Sequence, residues 1–278
     1  MRFEHALRSP ASLLLLLLLS ACTWETKLPG DEIHVDPDRS LLVTQELPAI
    51  TLDEALGGRA SPWPSADYRL LAVVNRTDLS VMPDRAAEGG EGRLVFGHVR
   101  AARTVIVEYA QPGPAKAWAA RWQALDGSRA ALAALVGGFG PIAQVRAADG
   151  ASGEIVLRQY EVTEGAIVEG LLRNEPDYAR VSAAELDAYA TSRSSALADG
   201  TALMPREWWS SAAVVRPAPA NVAPAVARQT CTGCHAKTEH GFQIDPSTGR
   251  PSTFLVSPRA PSDELRRRAV WMQTMLAP

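Results

Sequence analysis

Cysteine is scarce in this chain, with three among 278 residues. Three cysteines cannot supply the disulfide framework that holds many small secreted domains together. Lysine is equally rare, at Lys27, Lys116 and Lys237, and the net charge is −3. Such a charge balance provides no basic surface and predicts that nucleic acid is not a partner. What the chain does contain is apolar residues, at 46%, which are sufficient for a hydrophobic core.

The first 22 residues have the pattern of a bacterial export signal. Arg2 and Arg8 accompany an apolar run, Leu13–Leu19, which is too short to cross a membrane. Leu19-Ser20-Ala21-Cys22 resembles a lipobox, in which the signal is cleaved before the cysteine and the thiol receives a diacylglycerol. Residues 1–22 are therefore predicted to be a lipoprotein signal peptide with Cys22 as the lipidation site. The alternative is an ordinary export signal with an incidental cysteine.

Lipidation would decide where the protein resides. More than one acyl chain on Cys22 anchors a protein stably, so the lipid membrane is a predicted partner. Thr23 stands where an aspartate would resemble an inner-membrane retention signal, and this favours the outer membrane, facing the periplasm. Residues 23–66 have only short apolar runs between Pro29-Gly30, Asp36-Pro37-Asp38 and Ser61-Pro62-Trp63-Pro64, and they are predicted to be a tether and lead-in.

The middle of the chain, residues 67–215, is predicted to form an α+β domain. Short β-branched and aromatic runs indicate strands at 70–74, 93–96, 104–109 and 154–160. Apolar residues at helical spacing indicate helices at 115–125, 129–136 and 183–197, and Ser182 is the expected N-cap of the third.

An enzymatic role for this domain has little support in the sequence. No nucleophile elbow, phosphate-binding loop or paired-carboxylate pattern is present. The acidic residues near the predicted strands, Asp78, Glu91 and Glu108, are expected to be solvated or turn residues. The purpose of the domain is left open.

Proline and alanine mark a change after this domain. Pro217, Pro219 and Pro224 indicate an extended linker at 216–224, followed by a mainly helical tail at 225–278. A short helix around 221–229 and a longer one from Ser262 to Leu276 are predicted. A tail of this size rarely has a hydrophobic core large enough to fold stably without a cross-link or a bound group such as a covalently held cofactor.

The tail carries the most specific motif in the chain, Cys231-Thr232-Gly233-Cys234-His235. C-x-x-C-H is the pattern by which c-type haem is attached. Cys231 and Cys234 would form thioethers with the two vinyl groups, and His235 would be the axial iron ligand. Two alternatives remain open. One is a redox-active or structural disulfide, although no βαβ pattern surrounds the motif; the other is zinc bound by both cysteines, His235 and His240, which would be unusually crowded in sequence.

A sixth iron ligand is harder to assign. Met272 and Met275 are candidates because thioether ligation raises the reduction potential. Both fall inside the predicted C-terminal helix, whereas the methionine of cytochrome c lies in a loop before the last helix, and a helical methionine on an apolar face usually fills the core. His34 and His98 are expected to have surface or satisfied polar roles. Five-coordinate or water-ligated iron also remains open.

The arrangement resembles a group of exported lipoproteins of myxobacteria and their relatives, with a single C-terminal cytochrome c motif. The matching pieces are Asn75-Arg76-Thr77-Asp78-Leu79, Gly90-Glu91-Gly92-Arg93, and Thr230 to His235 with Phe242. The resemblance covers most of residues 68–276 and implies the architecture, an α+β domain followed by a haem-binding tail. It implies no activity. The group has a histidine after the phenylalanine, and here that position holds Gln243 or Ile244.

Two functional hypotheses follow. The first is a membrane-anchored lipoprotein with one haem c, acting in electron transfer or haem-based redox sensing with an unidentified redox partner. The second is a haem-free cell-envelope lipoprotein, a binding or structural module in which the C-x-x-C-H segment is a zinc site or a disulfide.

Overall fold

A computed structural model of the protein describes residues 40–81, 88–150, 154–198, 202–216, 218–227, 229–232 and 263–277. All of them belong to one compact unit, His34–Pro278. Several residues that the sequence singles out lie outside the described residues: Cys22, His34, Cys234, His235 and His240.

Ten strands are described: β1 Leu42–Val43, β2 Tyr68–Arg76, β3 Glu91–His98, β4 Arg103–Ala110, β5 Ile142–Asp149, β6 Val156–Val162, β7 Ile167–Glu169, β8 Leu172–Pro176, β9 Trp209–Ser210 and β10 Ala212–Val214. The main sheet has the order β1-β2-β3-β4-β5-β6-β10, and β7 also pairs with β6. Strands β8 and β9 form a separate pair. Every pairing of these strands is antiparallel.

Seven α-helices are described: α1 Leu52–Ala55, α2 Ala115–Gln123, α3 Arg129–Gly137, α4 Ala183–Ser192, α5 Ser194–Ala198, α6 Pro224–Ala227 and α7 Asp263–Leu276. A 3-10 turn, Thr77–Val81, follows β2, and another covers Arg206–Trp208. Ser182 caps α4 in a capping box with Glu185. The predicted helix 183–197 is divided at Arg193, which ends α4. The α+β class that the sequence predicts is confirmed, since a mixed set of helices accompanies an antiparallel sheet.

The register of the main sheet gives it two different faces, because side chains alternate along a strand. On one face Gly92 pairs with Tyr109, and the ring of Phe139, from the segment after α3, packs directly on Gly92 where a larger side chain would collide. Helices α2, α3 and α7 contribute to the main hydrophobic core on this side, and we call it the helix face. On the opposite face Arg93 pairs with Glu108, and we call it the polar face.

Residues 40–66 do not behave as a tether. Leu41, Leu52 and Leu56 are almost completely buried in the main core, and β1 pairs with β2. The tether prediction is wrong for this described part of residues 23–66. Leu52 and Leu56 are at helical spacing, but the pattern extends over little more than one turn, so it gives only a weak signal of burial. These leucines pack in a core to which distant strands contribute.

The predicted linker and tail also join the folded body. Val222, inside the predicted linker 216–224, is buried with Leu186, Tyr189 and Val226 in a second apolar cluster. In α7, Ala269 and Met272 are each 1% exposed and belong to the main core. Helix α7 therefore shares the core of the sheet, whereas Val226, at the start of the tail, packs in the second cluster.

Candidate functional site

The described start of the C-x-x-C-H segment, Cys231 and Thr232, lies on the polar face of the main sheet together with the two residues before it. Cys231 packs with Ala148, Leu157 and Leu172 in a small apolar cluster. Ala148 and Leu157 are register partners on β5 and β6, and they project from the same face as Arg146, two residues before Ala148. The first cysteine of the motif is therefore on the side of the sheet opposite to α2, α3 and α7.

Three consecutive residues of β8 hold this segment, and we call them the motif cradle: Arg173, Asn174 and Glu175. The carbonyl oxygen of Arg173 accepts a weak hydrogen bond from the Cys231 thiol, with 3.7 Å between sulfur and oxygen. Asn174 Nδ2 donates to the carbonyl oxygen of Gln229 at 3.0 Å. Glu175 accepts from the Thr232 N–H at 2.9 Å and from its hydroxyl at 2.5 Å. Cys231 is thus fixed from the backbone on both sides.

Asn174 has an unusual backbone conformation, with φ at +62°. Residues other than glycine rarely adopt this left-handed region, and asparagine is among those that tolerate it best. Its side chain makes two further hydrogen bonds, from Nδ2 to the carbonyl oxygen of Ala202 at 3.3 Å and from the Met204 N–H to Oδ1 at 2.8 Å. One side chain therefore joins β8 to two separate segments of the chain.

Glu175 is a buried carboxyl group, 1% exposed. Burial raises its pKa, and the hydrogen bonds from Thr232 oppose that rise without cancelling it. The nearby phenol of Tyr178 responds in the same direction: burial, with a smaller contribution from the charge of Glu175, raises the pKa of Tyr178 to about 12. Both shifts show that the side chains beside the start of the motif are shielded from water, where a negative charge is unfavourable.

Six charged residues cross the polar face beside the motif, and we call them the charge row: Arg76, Asp78, Glu91, Arg93, Glu108 and Arg146. Arg76 contacts both oxygens of Asp78, at 3.0 and 3.1 Å. Arg93 lies 2.9 Å from a Glu91 oxygen and 3.2 Å from Glu108 Oε1. Arg146 Nε lies 3.5 Å from the same Glu108 oxygen.

The sequence predicts that the three acidic residues of this row are solvated or turn residues, but in the structure all three are buried. Asp78 is 6% exposed, Glu91 2% and Glu108 below 1%. Asp78 and Glu91 each pair with an arginine two residues away in the chain, Arg76 and Arg93. Glu108 meets Arg93 and Arg146 only through the antiparallel register, which the spacing along one strand does not show. Burial acts to lower the pKa of Arg146, but the carboxylates of Glu108 and Glu91, with the Cys231 thiol, outweigh it and the pKa is raised.

The structure places the two candidate methionine ligands apart from Cys231. Met272 lies on the helix face, where its sulfur is 3.7 Å from Asn75 Nδ2, and Met275 packs against the same core. Asn75 pairs with Gly92 on that face, so the main sheet stands between Met272 and Cys231. In this position the two methionines fill the core, and nothing in the geometry supports a ligand role. His98 lies at the end of β3 and its Nδ1 accepts the Arg100 N–H at 3.0 Å.

The motif cradle is a part of the site that sequence reasoning missed. Residues 173–175 follow a strand-like run, and Asn174-Glu175-Pro176 has the composition of an ordinary turn. The contact between Asn174 and Gln229 joins residues 55 positions apart. No periodicity within one segment predicts a contact of that kind, although an asparagine before a strand end is a weak signal for a left-handed residue.

Within the described ranges, no group of three or more His, Cys, Asp or Glu side chains is arranged to hold a metal ion. The second cysteine and both histidines of the zinc alternative lie outside those ranges, so that alternative stays a prediction. Among the described helices, none has the length and apolar character needed to cross a membrane. Comparison of the chain with protein-family models, with curated proteins and with solved structures found no match.

Proposed function

We propose that this protein is a membrane-anchored lipoprotein that carries one covalently attached haem c and acts in electron transfer or haem-based redox sensing. Cys231 and Cys234 would be the thioether anchors, His235 the axial iron ligand and Cys22 the lipidated residue. The observation that carries the proposal is the motif cradle, which fixes the start of the C-x-x-C-H segment by three consecutive residues. An incidental surface segment has no need of such support.

The surroundings of Cys231 fit the chemistry of a haem edge. The apolar residues that accompany it provide a surface suited to a macrocycle: Ala148, Ile155, Leu157, Leu172, Ala213 and Val215. Arg146, two residues before Ala148 and on the same face of the sheet, places one cation beside this apolar cluster, and the carboxylate groups of a haem are anions that a guanidinium can pair with. When bound, haem supplies one-electron chemistry; the protein supplies attachment, orientation and a partly water-excluded environment.

The cradle has a specific task in this proposal. Covalent attachment at Cys231 requires that the thiol be presented in one orientation, because both thioethers and the histidine act on one ring. Asn174 holds the chain before Cys231, and Glu175 holds the chain after it. Because the chain is held on both sides of Cys231, it loses little conformational freedom when the cofactor binds.

Expression with a haem c maturation system tests the proposal directly. We expect a pyridine haemochrome spectrum, and a covalent mass increase of one haem, in the wild-type protein. Cys231→Ala and Cys234→Ala should retain at most one thioether, and His235→Ala should lose the proximal ligand. Cys22→Ala is the matched control, since it removes the third cysteine and should abolish lipidation without changing haem content.

Absence of a haem band and of any covalent mass increase in correctly exported wild-type protein would refute the proposal. Metal analysis and thiol counting on that same sample would then separate the zinc site from the disulfide. Lipidation is measured independently, by fatty-acid labelling and membrane fractionation of the wild type and of Cys22→Ala. A lipid-free wild-type protein would refute the membrane anchor alone.

A further inference from the structure

Arg146 differs from the other arginines of the charge row. Arg76 and Arg93 each approach a carboxylate within about hydrogen-bond distance, at 3.0 and 2.9 Å. Arg146 reaches Glu108 only at 3.5 Å, and among the described residues its buried Nε donates no hydrogen bond. This Nε is buried and faces Glu108, so a further anion would meet the other N–H donors of the guanidinium, which carries five in a fixed fork.

The position of Arg146 on β5 places it on the same face of the sheet as the start of the motif. Its β-sheet neighbours on the polar face are Ile106 of β4 and Gln159 of β6. Two residues farther along β5, Ala148 belongs to the small apolar cluster on which Cys231 packs. The Cys231 sulfur, when ionised, helps to raise the pKa of Arg146. The side chain of Arg146 is 24% exposed, which leaves it accessible to a ligand held at Cys231.

We propose that Arg146 is the residue that pairs with a carboxylate of the haem attached at Cys231, and thereby sets its reduction potential. This inference rests on the proposed function. The ligand chemistry is that of a propionate: an anion carried by an apolar ring, meeting a guanidinium beside an apolar cluster. Glu108 leaves the guanidinium only partly neutralised, because Arg93 shares the same carboxylate oxygen at 3.2 Å.

The effect on the iron follows from electrostatics. A cation near the haem favours the reduced iron, which carries one positive charge less than the oxidised iron. It also lowers the pKa of the propionate with which it pairs. Removing the charge of Arg146 should therefore lower the midpoint potential and move the pH dependence of that potential to higher pH.

The test compares Arg146→Gln with Arg158→Gln in haem-loaded full-length protein. Arg158 lies on β6 but projects from the helix face, where it pairs with Ala147 across the strands and forms an ion pair with the exposed Glu169. We expect Arg146→Gln to shift the iron redox equilibrium by up to about tenfold, ~59 mV for a one-electron couple, toward the oxidised state. Arg158→Gln should leave the potential and its pH dependence unchanged, and Arg146→Lys should restore most of the wild-type potential.

The outcomes separate the two proposals. Haem-loaded wild type and Arg146→Gln with the same potential and pH profile would overturn the role of Arg146 while leaving the haem proposal intact. A potential for Arg146→Lys as low as that for Arg146→Gln would overturn the charge argument as well. A wild-type protein without haem would defeat the proposed function and this inference with it. Thermal unfolding checks that Arg146→Gln folds, since Glu108 keeps Arg93 and Gln144 as partners.

Discussion

Asn174 combines a strained backbone with three side-chain hydrogen bonds, and its substitution separates the two contributions. Asn174→Gly removes the hydrogen bonds to Ala202, Met204 and Gln229 but accepts the left-handed conformation, so it should cost about 2–3 kcal/mol of unfolding free energy. Asn174→Ala should cost about 1 kcal/mol more, because alanine pays for the positive φ. Urea unfolding of the two variants measures both values.

Equal stability of the glycine and alanine variants would show that the backbone at position 174 is not strained. A glycine variant as stable as the wild type would show that the side chain does not hold the segment before Cys231. The second result would also weaken the argument from the motif cradle to a cofactor.

Glu175 should make the protein less stable as the pH rises. Its folded-state pKa lies above the ordinary value of 4.5, so the folded state binds more protons than the unfolded state between those two pKa values. Stability is then lost as the pH rises from about 4.5 through the folded-state pKa. Glu175→Gln carries no such penalty, and its stability relative to the wild type should be greater at pH 8 than at pH 4, as measured by urea unfolding.

Glu185 provides a control of opposite sign. Hydrogen bonds from the side chain and the backbone of Ser182 lower its pKa, so its contribution is present above the ordinary pKa and is lost as the pH falls through the lowered one. Glu185→Gln should therefore be weaker relative to the wild type at pH 8 than at pH 4. Parallel pH profiles for the two variants would contradict the assignment of Glu175 as a buried carboxyl group.

At the scale of elements, Met272 shows whether α7 contributes to the core or supplies an iron ligand. This residue is 1% exposed and packs in the main core beneath Asn75. Met272→Ala should cost about 2–4 kcal/mol through the cavity it leaves. Met272→Leu conserves the volume and should cost less than about 1.5 kcal/mol. In haem-loaded protein neither change should alter the absorption spectrum, because the main sheet separates Met272 from Cys231.

A spectral change in well-folded Met272→Leu protein would identify the methionine as an iron ligand and contradict its position in the core. Met275→Leu serves as the matched comparison, since Met275 packs on the same core but remains half-buried. It should have a smaller effect on stability than Met272→Ala and the same absence of effect on the spectrum.

The elements that sequence predicts best here are those with a strong local signal. A run of β-branched residues indicates a strand at 104–109, and the structure has β4 at Arg103–Ala110. Ser182 and Glu185 form a capping box, and α4 begins where that pair requires. Helix α7 was also expected, since its apolar residues recur at helical spacing. The pairing of β1 with β2 and of β8 with β9 could not be expected, because β1 and β9 have two residues each and such short strands carry no periodicity.

The candidate site also has one part that the sequence predicts and one part that it does not. The C-x-x-C-H string is visible in the sequence because its five residues act together locally. Its support is not visible, because Arg173, Asn174 and Glu175 approach it only through the folded chain. The charge row is similar: Arg93 and Glu108 become neighbours through the register of two strands, a non-local property.

At the scale of the whole molecule, the question is whether the main sheet folds stably without the C-terminal helix α7. Ala269 and Met272 of α7 are buried, and three larger residues pack partly against the same core: Trp271, Met275 and Leu276. Burial of a large apolar side chain contributes about 1.5–3 kcal/mol, so their sum approaches the 5–15 kcal/mol by which a typical domain is stable. Chain termination after Ser262 should therefore abolish cooperative thermal unfolding and expose the core to a hydrophobic dye.

A truncated protein with a cooperative transition close to that of the full chain would contradict this expectation, and would restore the division into an independent domain and a separate tail. Lys116→Ala is the appropriate control, because it removes only the hydrogen bond from Nζ to the carbonyl oxygen of Ala277, an exposed contact at 2.9 Å. Its effect should be small, since exposed polar contacts contribute little. Loss of folding on truncation, with near-normal stability in Lys116→Ala, would place the stabilisation in the apolar face of α7, and any cofactor at Cys231 would then be carried by the same folding unit as the sheet.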